Sequence, residues 1–121
     1  MPAQDNVALT IMGHTFFLED GIEHGNIYER NLGINTLASF ALLNTDTSPA
    51  TFWVTNPNNT YIGNHAAGSA AYGFWYQLLD NPSGPSFTTT VCPKFNPMGQ
   101  FSNNLVHSNM FYGCGKGGVH C

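Results

Sequence analysis

Apolar positions in this chain follow a two-residue period over short runs and then break off. Val7, Leu9 and Ile11 alternate with Ala8 and Thr10, the pattern of a strand with one buried face. No window sustains apolar residues at i, i+3, i+4 and i+7, and glycine or proline interrupts nearly every stretch. The pattern predicts strands of roughly three to six residues joined by tight turns, with no helix of consequence.

Two repeats give these strands an order. Asn26-Ile27-Tyr28-Glu29-Arg30-Asn31 returns as Asn59-Thr60-Tyr61-Ile62-Gly63-Asn64 and again as Asn104-Leu105-Val106-His107-Ser108-Asn109. Each block is soon followed by small residues: Gly33, then Ala66-Ala67-Gly68, then Gly113. The second repeat is aromatic: Phe16-Phe17, Phe52-Trp53 and Phe74-Trp75. The last two pairs lie 22 residues apart, which suits one coil of a solenoid, and the first two lie 36 apart. The excess fits a loop insertion near 37–50, rich in Asn, Asp, Thr, Ser and Pro. A second insertion is expected near 80–97, where Pro82, Pro85, Pro93 and Pro97 forbid a central strand. The expected fold is all-β: a right-handed parallel β-helix over residues 1–121. Stacked coils should place Trp53 over Trp75, and Asn26, Asn59 and Asn104 over one another. No capping helix is legible at either end, so the chain is expected to be a segment of a longer solenoid.

Composition agrees. Charged residues make up 8% of the chain, against the ~25% usual in soluble domains. Asparagine (14) and glycine (13) fill the gap, and both suit tight turns. With 42% hydrophobic and 13% aromatic residues the chain is not disordered. The net charge is −4, and Arg30, Lys94 and Lys116 are the only Lys or Arg residues, so a nucleic-acid footprint is excluded. No apolar run approaches the ~20 residues of a membrane span, which argues against direct membrane insertion. Residues 1–15 lack the features of a signal peptide.

Candidate chemistry is thin. The densest polar cluster is Glu19-Asp20-Gly21-Ile22-Glu23-His24. Paired carboxylates serve glycoside cleavage, so Asp20 and Glu23, with His24, are the catalytic candidates should the chain be an enzyme. The favoured expectation is a turn at Asp20-Gly21 whose carboxylates bond backbone amides. Trp53, Trp75, Tyr72 and Tyr76 are the candidate platform for sugar rings or a protein partner. Alternation sends one member of each aromatic pair outward. The insertions are expected to fold over those rings, because exposed aromatic files are costly. Asn58-Asn59-Thr60 is an acceptor sequon for an N-linked sugar. Cys92, Cys114 and Cys121 allow one disulfide and a leftover thiol, or a partner cysteine in another chain. Cys114 and Cys121 with His107 or His120 match no standard zinc spacing, so neither a metal nor a cofactor is expected.

Phe16-Phe17-Leu18-Glu19-Asp20-Gly21-Ile22-Glu23 and Phe52-Trp53-Val54-Thr55-Asn56-Pro57-Asn58-Asn59 resemble signatures of the fibrocystin-like (polyductin) family. So do Ala66-Ala67-Gly68, Gly73-Phe74-Trp75, Gly84-Pro85-Ser86, Gly99-Gln100-Phe101, Asn103-Asn104 and His107-Ser108, in order along nearly the whole chain. The set is similar, more distantly, to the hyaluronan-binding cell-migration-inducing protein and its transmembrane hyaluronidase relative. The resemblance implies a pectin-lyase-like β-helix inside a very large ectodomain at the cell surface, often on cilia. It brings no active-site residues onto these positions. The function expected is a non-catalytic structural or adhesive module that binds neighbouring segments, other extracellular proteins or glycans. A polysaccharide-cleaving enzyme acting on hyaluronan- or pectin-type polymers is the alternative.

Overall fold

The computed structural model describes residues 1–116 and the short strand at 119–120. Its strands form a parallel β-helix of four rungs. The first rung is β1 (Pro2–Gln4), β2 (Val7–Met12) and β3 (Phe16–Phe17). The second is β4 (Ile27–Glu29), β5 (Leu32–Leu37) and β6 (Ala50–Val54). The third is β7 (Thr60–Ile62), β8 (His65–Ser69) and β9 (Tyr72–Tyr76), and the fourth is β10 (Phe101–Ser102), β11 (Leu105–Asn109) and β12 (Tyr112–Lys116). Corresponding strands pair in parallel, giving the sheets β1-β4-β7-β10, β2-β5-β8-β11 and β3-β6-β9-β12. A last strand, β13 (Val119–His120), pairs antiparallel with β12.

The turns explain why asparagine is so abundant. Between the first two strands of each rung one residue takes the left-handed conformation: Asp5, Arg30, Gly63 and Asn103, with φ from 53° to 63°. The next residue is always asparagine: Asn6, Asn31, Asn64, Asn104. Each carboxamide donates to the carboxamide oxygen one rung on, at 2.9, 3.0 and 3.1 Å. That same oxygen accepts the backbone N–H of the asparagine one rung back. The second amide hydrogen of Asn31, Asn64 and Asn104 goes to Ala3, Tyr28 and Tyr61 carbonyls. Asn31 and Asn64 are fully enclosed, and this ladder satisfies the polar atoms that burial would otherwise leave costly.

One expected alignment is corrected here. Asn26 does stack on Asn59, at 3.0 Å. Asn104, however, continues the column of Asn6, Asn31 and Asn64. The register follows the ring three residues before Asn31, Asn64 and Asn104, since Phe101 pairs with Tyr61 and Tyr61 with Tyr28. Gly99 lies against Asn59 on the fourth rung. A side chain there would meet the Asn59 carbonyl oxygen at 2.2 Å.

Inside the coil, rings stack in a file. Phe16, Phe52 and Phe74 lie 4.7 and 4.4 Å apart with nearly parallel planes, and Tyr28 covers Tyr61 at 4.8 Å. Tyr61 meets Phe52 and Phe74 edge-on, the geometry favoured by the ring quadrupoles. The facing positions of the second sheet stay small. Ala8, Gly33, Ala66 and Val106 are register partners, and a Cβ on Gly33 would strike Thr51 at 2.3 Å. The small residues Gly33 and Ala66 that follow the first two sequence blocks are thus set by the width of the coil.

Two segments leave the coil, between Leu37 and Ala50 and between Tyr76 and Phe101. His14 fastens the first. Its ring is buried, stacks on Trp53 at 4.0 Å, and accepts the Ala50 N–H at Nδ1 (3.1 Å). The proton therefore sits on Nε2, which faces Thr45 and Asp46 of the loop at 3.4 Å each. The second segment is tied back by the Ser83 N–H to Asp20 carbonyl bond at 2.8 Å and by the Asn96 amide donating to Asn56 Oδ1 at 3.3 Å, and a Lys94–Asp80 ion pair braces it internally.

Two outcomes follow from these contacts. Asn64→Ala should lower unfolding free energy by about 3 kcal/mol in urea titration, since it strands the Asn31 amide and N–H inside the coil. Burial holds the His14 pKa down at about 4, with Asp46 opposing the shift. The unfolded chain takes up that proton first as pH falls, so His14 contributes stability above pH ~6.5 that drains away towards pH ~4. Urea titrations across that window should show a loss of about 3 kcal/mol from this group, absent in His14→Gln.

Candidate functional site

Alternation along β3, β6 and β9 turns Phe16, Phe52 and Phe74 into the coil and Phe17, Trp53 and Trp75 onto the outer face of the third sheet. Trp53 and Trp75 are register partners, yet their indoles do not stack on one another. Trp53 leans onto His14. Trp75 lies on Tyr72, with centroids 4.2 Å apart and planes 21° apart, and donates its indole N–H to Gln77 Oε1 at 2.9 Å. Tyr72 in turn lies parallel to Tyr112 at 6.1 Å. The divergence of the two indoles opens a space between them.

That space is one of two adjoining depressions. The first, about 290 Å³, lies among Trp53, Tyr72, Trp75, Gln77 and loop residues Asn44, Thr45 and Ser48. The second, about 340 Å³, shares Thr45, Trp53 and Gln77 and runs on past Phe17, Glu19, Asp20 and Thr55 to Leu79 and Gly84. The insertions thus form walls rather than a complete lid. Trp53 is closed off at 6% exposure, while Trp75 and Tyr72 stay partly open. Aromatic faces beside amide and hydroxyl groups suit a ligand with apolar and polar sides. Among the described residues Glu19 and Asp20 are the only charged ones lining either depression.

The sequence candidates separate in space. Tyr76 is withdrawn from the platform: the two-residue period puts it on the Phe74 side, 4% exposed and packed among core rings. Its hydroxyl makes no hydrogen bond among the described residues, and burial pushes its pKa well up. Asp20, Glu23 and His24 do not converge. Glu23 accepts the backbone N–H groups of Asp20 and Gly21 at 3.1 and 2.8 Å, which commits its oxygens to the turn. Asp20 faces the second depression, with an oxygen close against Gly84, where a Cβ would sit 2.9 Å from it. His24 lies on a different hollow of about 250 Å³, with Ile22, Asn56, Asn58, Val91 and Asn96. Gln77, Thr45, Ser48 and His14 belong to the site or its support and stand outside the sequence candidates, whereas Glu19 comes from the polar cluster. The first loop places Thr45 and Ser48, and the other three lie beside the ends of coil strands.

The remaining candidates are simpler. Asn58 is half-buried at the turn before β7, and its backbone N–H is held by Asn56 Oδ1 at 2.9 Å. Cys92 carries a free thiol and so leaves the set of disulfide candidates, whereas Cys114 is disulfide-bonded. Cys121 lies outside the described residues. Among the described residues no three His, Cys, Asp or Glu side chains gather as a metal site. No helix among them is long and apolar enough to cross a membrane.

Comparison with known proteins agrees with this architecture. A family model described as CEMIP beta-helix matches residues 1–114. Fibrocystin-L of Mus musculus is 53% identical over 108 residues, covering 89% of this chain and 2% of that protein. Fibrocystin-L of Homo sapiens is 50% identical over the same length. Cell surface hyaluronidase CEMIP2 of Homo sapiens is 38% identical over 133 residues, covering 88% of this chain and 10% of that protein. The chain thus spans a small part of the length of these relatives. A matched family model over nearly all the described strands, together with the stacked rungs, shows that the chain belongs to the CEMIP beta-helix family.

Proposed function

We propose that the chain is a non-catalytic β-helix module of a large extracellular cell-surface protein, and that the outer face of its third sheet binds an uncharged glycan. The observation that carries this reading is the depression between Trp53 and Trp75, walled by Tyr72, Gln77, Thr45 and Ser48, with the adjoining one that shares Trp53, Thr45 and Gln77. Aromatic rings offer flat apolar surface to the C–H faces of a pyranose, and the amide and hydroxyls can meet its hydroxyl groups. Relatives named as a hyaluronidase and as a hyaluronan-binding protein support a glycan as the ligand class.

The charge on the site selects within that class. Among the described residues Glu19 and Asp20 are the charged side chains that line it, so a polyanion such as hyaluronan meets like charge there. Arg30 is engaged by Asp5 and Glu29, and Lys94 by Asp80. A neutral sugar fits the face better. Cleavage is disfavoured by the same geometry. Glu23 is bound to its own turn and His24 opens onto another hollow, so the Asp20, Glu23 and His24 set is not assembled.

The test is a glycan array followed by titration of any neutral glycan bound, with hyaluronan and pectin-type polymers as substrates in viscometry. Trp75→Ala should weaken binding about thirtyfold with unchanged circular dichroism, the loss typical of a central aromatic anchor. Binding untouched by that substitution would remove the site, and measurable shortening of either polymer would overturn the non-catalytic reading. Expression through a secretory pathway should also add one N-linked glycan at Asn58. Mass spectrometry should find it on the wild-type chain and not on Asn58→Gln.

A further inference from the structure

We propose that His65 and His107 form a surface site for a late first-row transition-metal dication, Cu²⁺ first and Ni²⁺ next. The two residues are 42 apart in sequence, and stacking of the third and fourth rungs brings them together. His65 pairs with Leu105 and His107 with Ala67, so both imidazoles stand on the outer face of the second sheet, one strand and two residues apart. The inward positions between them are Ala66 and Val106. Both rings are accessible, His107 more so than His65.

The geometry is that of a chelating pair. The Nε2 atoms lie 2.8 Å apart with ring centroids at 4.9 Å. Metal–imidazole bonds of ~2.0–2.1 Å at a right angle put two donor nitrogens about 2.9 Å apart, the cis spacing of a tetragonal Cu²⁺ or Ni²⁺ site. A tetrahedral ion wants roughly 3.3 Å, so Zn²⁺ fits less well. Without an ion one Nε2 donates a proton to the other. With an ion both lone pairs must point inward, which needs the proton of each ring on Nδ1. His107 is already equipped for this, because its Nδ1 lies 2.9 Å from Ser108 Oγ, which can accept the Nδ1 proton. A partner on the non-ligating nitrogen is the usual way a protein fixes the ligand tautomer.

No third His, Cys, Asp or Glu joins the pair among the described residues, so water fills the remaining positions and binding is reversible. The ion would tie β8 to β11, and hence one rung to the next. The Cys-and-His zinc set weighed on the sequence differs in kind, since it used His107 or His120 with Cys114, which is disulfide-bonded.

The experiment is a titration of the metal-free protein with Cu²⁺, Ni²⁺ and Zn²⁺ by calorimetry, with electron paramagnetic resonance of the copper form. The expected result is one Cu²⁺ per chain, nitrogen hyperfine splitting from two imidazoles, affinity in the order Cu²⁺, Ni²⁺, Zn²⁺, and a raised Tm. His65→Ala and His107→Ala should each abolish the two-nitrogen signal while leaving the metal-free Tm within a degree or two, because both rings are at the surface. Ser108→Gly removes the hydroxyl at a residue whose φ is 63°, where glycine is unstrained, and should weaken Cu²⁺ roughly tenfold. His24→Ala should change nothing. Wild-type protein with no two-nitrogen signal, or a signal that survives His65→Ala, would overturn the proposal.

Discussion

A buried asparagine carboxamide has two donors and an acceptor to satisfy, and in this chain the asparagines of the adjacent rungs and a backbone carbonyl of the rung before supply them. Asn6, Asn31, Asn64 and Asn104 answer one another in that way and fix how far each coil advances on the last. A slip of one residue would bury unpaired amides and turn every side chain of the slipped strand to the wrong face. The ladder therefore sets register, and register sets everything that faces inward or outward. The left-handed residue before each asparagine (Asp5, Arg30, Gly63, Asn103) is tolerated because the turn it makes is held from both sides.

Once the register is fixed, one aromatic pair per rung does two jobs. The first ring of each pair enters the coil and stacks on its equivalent, Phe16 on Phe52 on Phe74. The second ring faces out, where the rungs impose no partner. Trp53 and Trp75 each find a different neighbour, His14 and Tyr72. Neighbouring positions in the sheet thus do not make a ring file on the outside. The gap that results is the candidate binding site, and the first loop walls it because His14 pins Thr45 and Asp46 beside it.

Coil length varies by insertion alone. The excursions between β5 and β6 and between β9 and β10 lengthen particular coils without disturbing the stack, because a loop leaving a solenoid meets only its neighbours.

The coil itself was legible from sequence, because a repeat that stacks must be written in the chain as a repeat. The Phe-Trp spacing gave the third coil. The Asn104 alignment misled, since two asparagines five apart are a weaker marker than the ring three before each one. Tyr76 was misplaced for a related reason: a platform was inferred from composition where a two-residue period already assigned that ring inward. No sequence feature pointed to His14, Gln77 or the His65–His107 contact, which arise between residues separated by a loop or by a whole coil. The chain by itself determined which residues turn, which face the core and which rungs match, because those are local conformational and burial preferences. Only the tertiary structure decided which outward side chains meet, since that depends on loop paths and rotamers that no short-range pattern encodes.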